Sequence, residues 1–346
     1  MAELIPTFII AEAGVNHNGD LKSALALVDA AVEAGADAVK FQTFKTEALV
    51  SKSAKQADYQ TENTGQEQSQ YDLLKSLELS DSDHQTLIEH CRQNGIEFMS
   101  TAFDSDSIDL LSALGVTRWK IPSGELLSVP YLRKIANLNQ PTILSTGMGN
   151  LEEVQLAVAT LLNAGLHVSN LTVLHANTAY PTPYEDVNLR AMKTLREALN
   201  VPIGLSDHSL GIEVPIAAVA LGASIIEKHF TLDRSLPGPD HKASLEPPEL
   251  ASMVSSIRHV EMAMGSGQKV ASESEKCNMS VARKRIVAAT AIQPGETLSE
   301  RNLTLKRSDR GIEARFWDQV IGIVADKAYM KDAEIEASII LGNKHD

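Results

Sequence analysis

Short apolar and β-branched runs that end in polar residues alternate, over the first three quarters of the chain, with longer stretches whose apolar residues recur at helical spacing. The runs are FIIAEAG from Phe8, AVKFQT from Ala38, EFMSTAF from Glu97, RWKIPSGE from Arg118, TILSTGM from Thr142, LTVLHAN from Leu171, IGLSDHS from Ile203 and SIIEKHF from Ser224. Segments between them, such as LKSALALVDAAVEAGA and LEEVQLAVATLLNAGL, read as amphipathic helices with glycine near the end, at Gly35 and Gly165. Continuous rather than alternating apolar runs mark parallel strands buried on both faces. Eight of them in strand–helix alternation predict a closed (β/α)8 TIM barrel in preference to an open, doubly wound sheet.

The pattern breaks twice. After the second run comes the polar insertion KTEALVSKSAKQADYQTENTGQEQSQYDLL, a candidate lid or substrate wall, or simply a solvated excursion. From Gly265 to Ser280 the chain is small and polar, which marks a linker. Beyond it, β-branched runs flank the turn signal Pro294-Gly295, and EIEASIIL reads as a late strand. The predicted organisation is a barrel over residues 1–265, a linker over 266–282 and a small β-rich domain over 283–346.

Charge narrows the classes of function. With 45 acidic and 31 basic side chains the formal charge is −14, which disfavours nucleic acid and anionic membranes as partners. Two distant cysteines, Cys91 and Cys277, suggest a reducing compartment. The opening MAELIPTFII lacks the basic and apolar regions of an export signal, and the expected location is the cytoplasm.

In such a barrel the reacting groups lie at the C-terminal strand ends. Those ends carry Glu12, Lys40, Gln42, Thr101, Lys120, Ser123, Glu125, Ser145, Asn177, Ser206, Asp207, His208, Glu227 and His229. His208 and His229, on adjacent strands, are candidate ligands of a divalent metal with Glu12 as carboxylate partner, although strand-end histidines are as often hydrogen-bonded core groups. Lys40 and Lys120 with Ser123, Ser145 and Ser206 make a candidate phosphate cradle. A Schiff-base lysine and a plain Lys120–Glu125 ion pair are the alternatives. Tyr180 and Asp240, in proline-stiffened loops, are candidates to meet sugar hydroxyls or simply to pack.

Taken together, IIAEAGVNHNGD, VKFQTF, STAFD, WKIPSGE, ILSTGM, YPTPYEDVNL, GLSDHSLG, IEKHFTLD and GPDHKASLEP resemble the motifs of the sialic acid synthase family, in order and essentially end to end. The region from Arg283 resembles that family's antifreeze-like (SAF) C-terminal domain. The resemblance implies an enzyme that condenses phosphoenolpyruvate with an N-acylated hexose by C–O cleavage. N-acetylmannosamine giving N-acetylneuraminate is the first expectation. Legionaminic acid synthesis from a 2,4-diacetamido-6-deoxy hexose is the alternative, and pseudaminic acid synthesis a more distant third. It further implies manganese, or magnesium or cobalt, on His208 and His229, with Glu12 holding or activating bound water. Lys40, Lys120, Ser123, Ser145, Asn177 and Ser206 would surround phosphoenolpyruvate, and Gln42, Thr101, Glu125, Tyr180 and Asp240 the acceptor. Glu227 joins Glu12, Lys40, Lys120 and Glu125 as an expected catalytic group. A domain-swapped homodimer would bring Arg307 to the neighbour's active site.

Departures from the family pattern, at Ala102, Ala176 and Ala179 and in SDRG after Arg307, flank the sugar rather than the metal. An amidohydrolase would need an HxH pair on the first strand, whereas AEAGVNHN has a single histidine. A non-catalytic sugar sensor would need neither metal nor converging lysines.

Overall fold

A computed structural model describes residues 5–55, 61 and 69–341. Its contacts divide the chain into two units, Met1–Ser266 and Gly267–Asp346. The first is a closed barrel of eight parallel strands: β1 (Phe8–Gly14), β2 (Ala38–Thr43), β3 (Glu97–Ala102), β4 (Trp119–Ile121), β5 (Thr142–Ser145), β6 (Leu171–Ala176), β7 (Ile203–Asp207) and β8 (Ile225–His229). The eight predicted runs are these strands, and β1 closes the ring by pairing with both β2 and β8.

Strand periodicity sorts side chains between an inner and an outer face. Outward residues such as Ile9, Val39, Trp119, Leu144, Val173 and Ile226 pack with the helices in the main core. The inward set is layered. Ile10, Ala38, Met99, Ile143, Leu174 and Ile225 form a separate apolar plug low in the barrel. Two residues further along their strands come Glu12, Lys40, Thr101, Ser145 and Glu227, so the plug is the dry floor of a polar chamber. β7 admits its neighbours only because position 204 is glycine: a Cβ there would lie 2.4 Å from the carbonyl oxygen of Ile225.

The polar insertion contributes a short helix, Thr46–Leu49, and a second, Gln70–Leu77, whose Leu73 and Leu77 are buried with Val15 and Phe44. Residues 56–60 and 62–68 of that insertion lie outside the described residues. Among the described residues no helix is long and apolar enough to cross a membrane.

In the second unit β9 (Lys284–Ala288) pairs antiparallel with β10 (Leu303–Arg307) over a core that includes Ile286, Ile292, Leu298 and Ile335. Part of the polar segment read as a linker is helical, Glu273–Ala282, started by a Ser272–Glu275 capping box. EIEASIIL is not a strand. It makes a single bridge, Glu334 to Val287, continued by Ile335 N donating to the carbonyl of Ile286 at 3.1 Å, and then ends in a helical turn, Ser338–Leu341, with Ile335 and Ile339 both buried.

Candidate active site

Four charged side chains meet inside the barrel with almost no access to water. Lys40 Nζ lies 2.7 Å from Glu12 Oε2 and 3.5 Å from Glu227 Oε2, and Lys120 Nζ lies 3.2 Å from Glu227 Oε1. Lys40 also donates to Thr101 Oγ1 at 3.0 Å, and Ser206 Oγ donates to Glu227 Oε1 at 2.7 Å. The Lys120–Glu125 pair, the alternative reading, is not formed; Glu227 pairs with Lys120 instead. Burial on this scale is tolerated only when each charge faces an opposite one, and here positive and negative ends alternate.

The surroundings separate the two carboxylates. Burial pushes the pKa of Glu12 up to about 7, against the downward pull of Lys40. Glu227 is desolvated too, yet Lys120 and Lys40 together hold it well below the carboxylate range. Desolvation lowers Lys120, whereas Lys40 is raised because Glu12 and Glu227 outweigh its burial. The chamber therefore keeps one firmly ionised carboxylate, and a second that gives up its proton near neutrality.

Above this layer stand the two histidines, their ring centroids 5.3 Å apart. His208 Nδ1 donates to the carbonyl of Asn177 at 2.5 Å, which leaves Nε2 with its lone pair free. Burial lowers both imidazoles, His208 to about 4, so both are neutral at pH 7. Tyr180 lies against the pair, 4.1 Å from His208 and 5.5 Å from His229 between ring centroids. A register shift between Glu12 and Gly14 turns the end of β1 toward them. At Gly14, with φ of 53°, a Cβ would come 3.3 Å from His229 Cε1 and 3.4 Å from Glu12 Oε1. That position suits glycine on both counts.

Among the described residues no three His, Cys, Asp or Glu side chains gather as a metal cage. The donor set nevertheless fits a divalent ion with open positions: two neutral imidazoles, a neighbouring carboxylate, and a buried His229 Nδ1 without a hydrogen-bond partner. Ser145 Oγ is likewise buried and unpartnered.

Gln42, Ser123, Ser145, Ser206 and Tyr180 line one cavity of about 170 Å³ with the charged cluster and both histidines. Ser123 is held by the amide of Gly147 at 2.9 Å, in a gap where a Cβ on residue 147 would meet Ser123 Oγ at 2.8 Å. An annex of about 320 Å³ shares Gln42, Phe103 and Tyr180 with this cavity; apolar residues wall most of it, and Asp240 enters it. Burial alone raises Asp240 to about 6.

Two predicted residues lie elsewhere. Glu125 lines a different cavity with Asp104, Tyr131 and Lys134, because the 3₁₀ turn Ser123–Glu125 swings each successive side chain by about 120°. Asn177 spends its amide on its own loop, accepting from Ala179 N and donating to Asp186 O, and reaches the site only through its carbonyl. Arg307 is exposed at the end of β10 in the second unit. Phe103, Pro122, Met148 and Thr178 also line the mouth. Sequence reading passed over them because apolar and small side chains carry no chemical signature.

A profile described as the NeuB family matches residues 27–269, and one described as the SAF domain matches residues 283–328. The N,N'-diacetyllegionaminic acid synthase of Campylobacter jejuni is 50% identical over 326 residues, covering 94% of this chain and 98% of that protein. The enzyme of the same name from Legionella pneumophila is 50% identical, covering 91% and 89%. Among solved structures, the N-acetylneuraminic acid synthetase of Leptospira borgpetersenii superposes with a TM-score of 0.70 at 36% identity, covering 80% of this chain and 91% of that one.

Proposed function

Because the chain belongs to the NeuB family, we propose that it condenses phosphoenolpyruvate with the open-chain aldehyde of a 2,4-diacetamido-6-deoxy hexose, giving a legionaminic-type nonulosonic acid and phosphate. One observation carries the reaction class: two lysines, two carboxylates and two neutral histidines converge on a single chamber above a dry floor.

In this reading Lys40 and Lys120, with Ser123, Ser145 and Ser206, hold the phosphate and carboxylate of phosphoenolpyruvate. Charge-assisted hydrogen bonds there offset the desolvation of the dianion. Glu227 keeps both ammonium groups aimed inward. His208, His229 and Glu12 would hold a divalent ion, manganese in the first instance, which when bound polarises the aldehyde oxygen. Carbon 3 of phosphoenolpyruvate forms the new bond to the aldehyde carbon, and water adds at carbon 2. Glu12, facing the same space, is placed to take the proton of that water. The tetrahedral intermediate then loses phosphate by cleavage of the bond between carbon 2 and the bridging oxygen.

The annex supports this choice of acceptor. Val15, Phe44, Leu49, Leu73, Leu77 and Phe103 offer methyl-sized contacts, and Gln42, Gln70, Tyr180 and Asp240 are the polar points among them. Acetamido and deoxy methyl groups gain from such a wall, where a hydroxyl finds few partners. N-acetylmannosamine giving N-acetylneuraminate is the second reading, supported by the likeness to the Leptospira synthetase. Initial rates of phosphate release with each sugar separate the two. The account expects kcat/KM to favour the diacetamido sugar by roughly 10–200-fold, the range an apolar pocket can deliver. Equal or reversed preference would move the assignment to the second reading.

The proposal extends to a homodimer working in the cytosol. Leu127, Met148, Tyr184 and Leu210 are exposed on successive strand-end loops, an apolar collar that a second copy would cover. Arg307 is the residue that the family resemblance assigns to that copy's mouth.

A further inference from the structure

Successive rungs between β7 and β8 alternate in direction. Ser206 pairs with Glu227 in register inside the barrel, Asp207 pairs with Lys228 outside it, and His208 and His229 follow on the inside. The outer rung is as dry as the inner ones: Lys228 is 0% exposed and Asp207 2%. A buried ion pair needs a reason, since an apolar pair of similar volume is often at least as stable there.

Its hydrogen bonds supply one. Asp207 Oδ1 accepts from Ser209 N at 3.0 Å and from Ser209 Oγ at 2.7 Å, closing a turn directly around His208. Lys228 Nζ donates to Asp207 Oδ2 at 2.5 Å and also to the carbonyl of Ser209. The backbone is thus tied to β8 on both sides of His208. The carbonyl of His208 itself accepts from Thr182 N at 2.9 Å, and its ring is held by Asn177. Lys228 stands next to His229 in the chain, so one side chain links the two strand ends that present the imidazoles.

We infer that Lys228 and Asp207 are positioning residues: a clamp on the outer face of the barrel that fixes the separation and aim of His208 and His229 without touching substrate or metal. This rests on the reading of the two histidines as a metal site. Removing groups that orient metal ligands characteristically lowers metal affinity about 10–100-fold.

The test uses the full-length protein and two double substitutions, because Lys228→Met alone would strand a buried carboxylate. Asp207→Leu with Lys228→Met removes both the turn and the tether. Asp207→Asn with Lys228→Met removes the charges but keeps an oxygen to accept from Ser209. Circular-dichroism melts establish folding, and manganese affinity is read by electron paramagnetic resonance of the free ion. The clamp predicts a 10–100-fold rise in Kd for the Leu/Met protein and a smaller but measurable rise for the Asn/Met protein, which keeps the turn and lacks the Lys228 tether, at comparable melting temperature; wild-type affinity in the Asn/Met protein would remove Lys228 from the clamp. Wild-type manganese affinity in both folded variants would overturn it. Nitrogen-15 spectra of histidine-labelled, metal-free protein give a readout free of the ion: the His208 signals should broaden or divide in the Leu/Met variant, and an unchanged His208 pattern in that variant would also overturn the clamp. If His208→Ala binds manganese like wild type, the metal-site reading fails, and the nitrogen-15 comparison still decides whether the clamp orders His208.

Discussion

Asp240 joins stability and recognition in one side chain. It is 7% exposed, and burial moves its pKa from the ordinary 3.8 to about 6. The unfolded chain releases this proton near pH 4 and the folded chain near pH 6, so between those values the native state binds more protons. Stability is therefore full below about pH 4, falls as the pH rises through 6 and stays reduced above it. The difference corresponds to roughly 3 kcal/mol at pH 8 by linkage. Asp240→Asn abolishes this penalty. Its melting temperature should exceed that of wild type by roughly 4–6 °C at pH 8, and the advantage should be about halved by pH 5. Because the two proteins differ at one group, the other titrations cancel in the comparison. The same substitution should raise KM for the acceptor sugar roughly 10-fold, from loss of a charged hydrogen-bond partner, and leave KM for phosphoenolpyruvate unchanged. A melting-temperature difference that does not vary with pH would refute the claim that Asp240 is held in a desolvated annex.

Two further substitutions probe the phosphate side of the chamber. Lys120→Met leaves Glu227 with Lys40 as its remaining cation, and should cost about 3–5 kcal/mol of stability while weakening phosphoenolpyruvate binding in titration calorimetry; wild-type binding would remove Lys120 from the cradle. Gly147→Ala would place a Cβ 2.7 Å from Thr178 Cγ2 and 2.8 Å from Ser123 Oγ, so KM for phosphoenolpyruvate should rise at a stability cost of about 1–3 kcal/mol. Unchanged kinetics would show that Ser123 does not hold the ester.

The barrel was readable because each of its strands is a continuous apolar run punctuated by a helix, and because the polar residue at a strand's end marks the face that bears the chemistry. That rule alone singles out Glu12, Lys40, Lys120, Ser206 and the two histidines, which line one cavity. The rule reads strands, so it fails where the chain leaves them. Glu125 is carried away by a tight turn, and Asn177 presents its backbone instead of its amide. EIEASIIL reads as extended because isoleucines crowd it, yet only its first residues pair and Ser338–Leu341 is a turn of helix. The pairing of Asp207 with Lys228 is hidden from the sequence for a different reason. Between two functional residues on each strand they point outward, and only coordinates show that the outward side is sealed and that the two meet.

In the proposed reaction the chamber of Lys40, Lys120, Glu12, Glu227, His208 and His229 carries out one metal-assisted condensation. Phosphate released from phosphoenolpyruvate labelled with oxygen-18 at the bridging position, by protein stripped of metal and then resupplied with manganese, tests it most directly. The account predicts release only when both manganese and an acylated hexose are present, with the label in the phosphate. Release without metal or acceptor, or phosphate lacking the label, would contradict it.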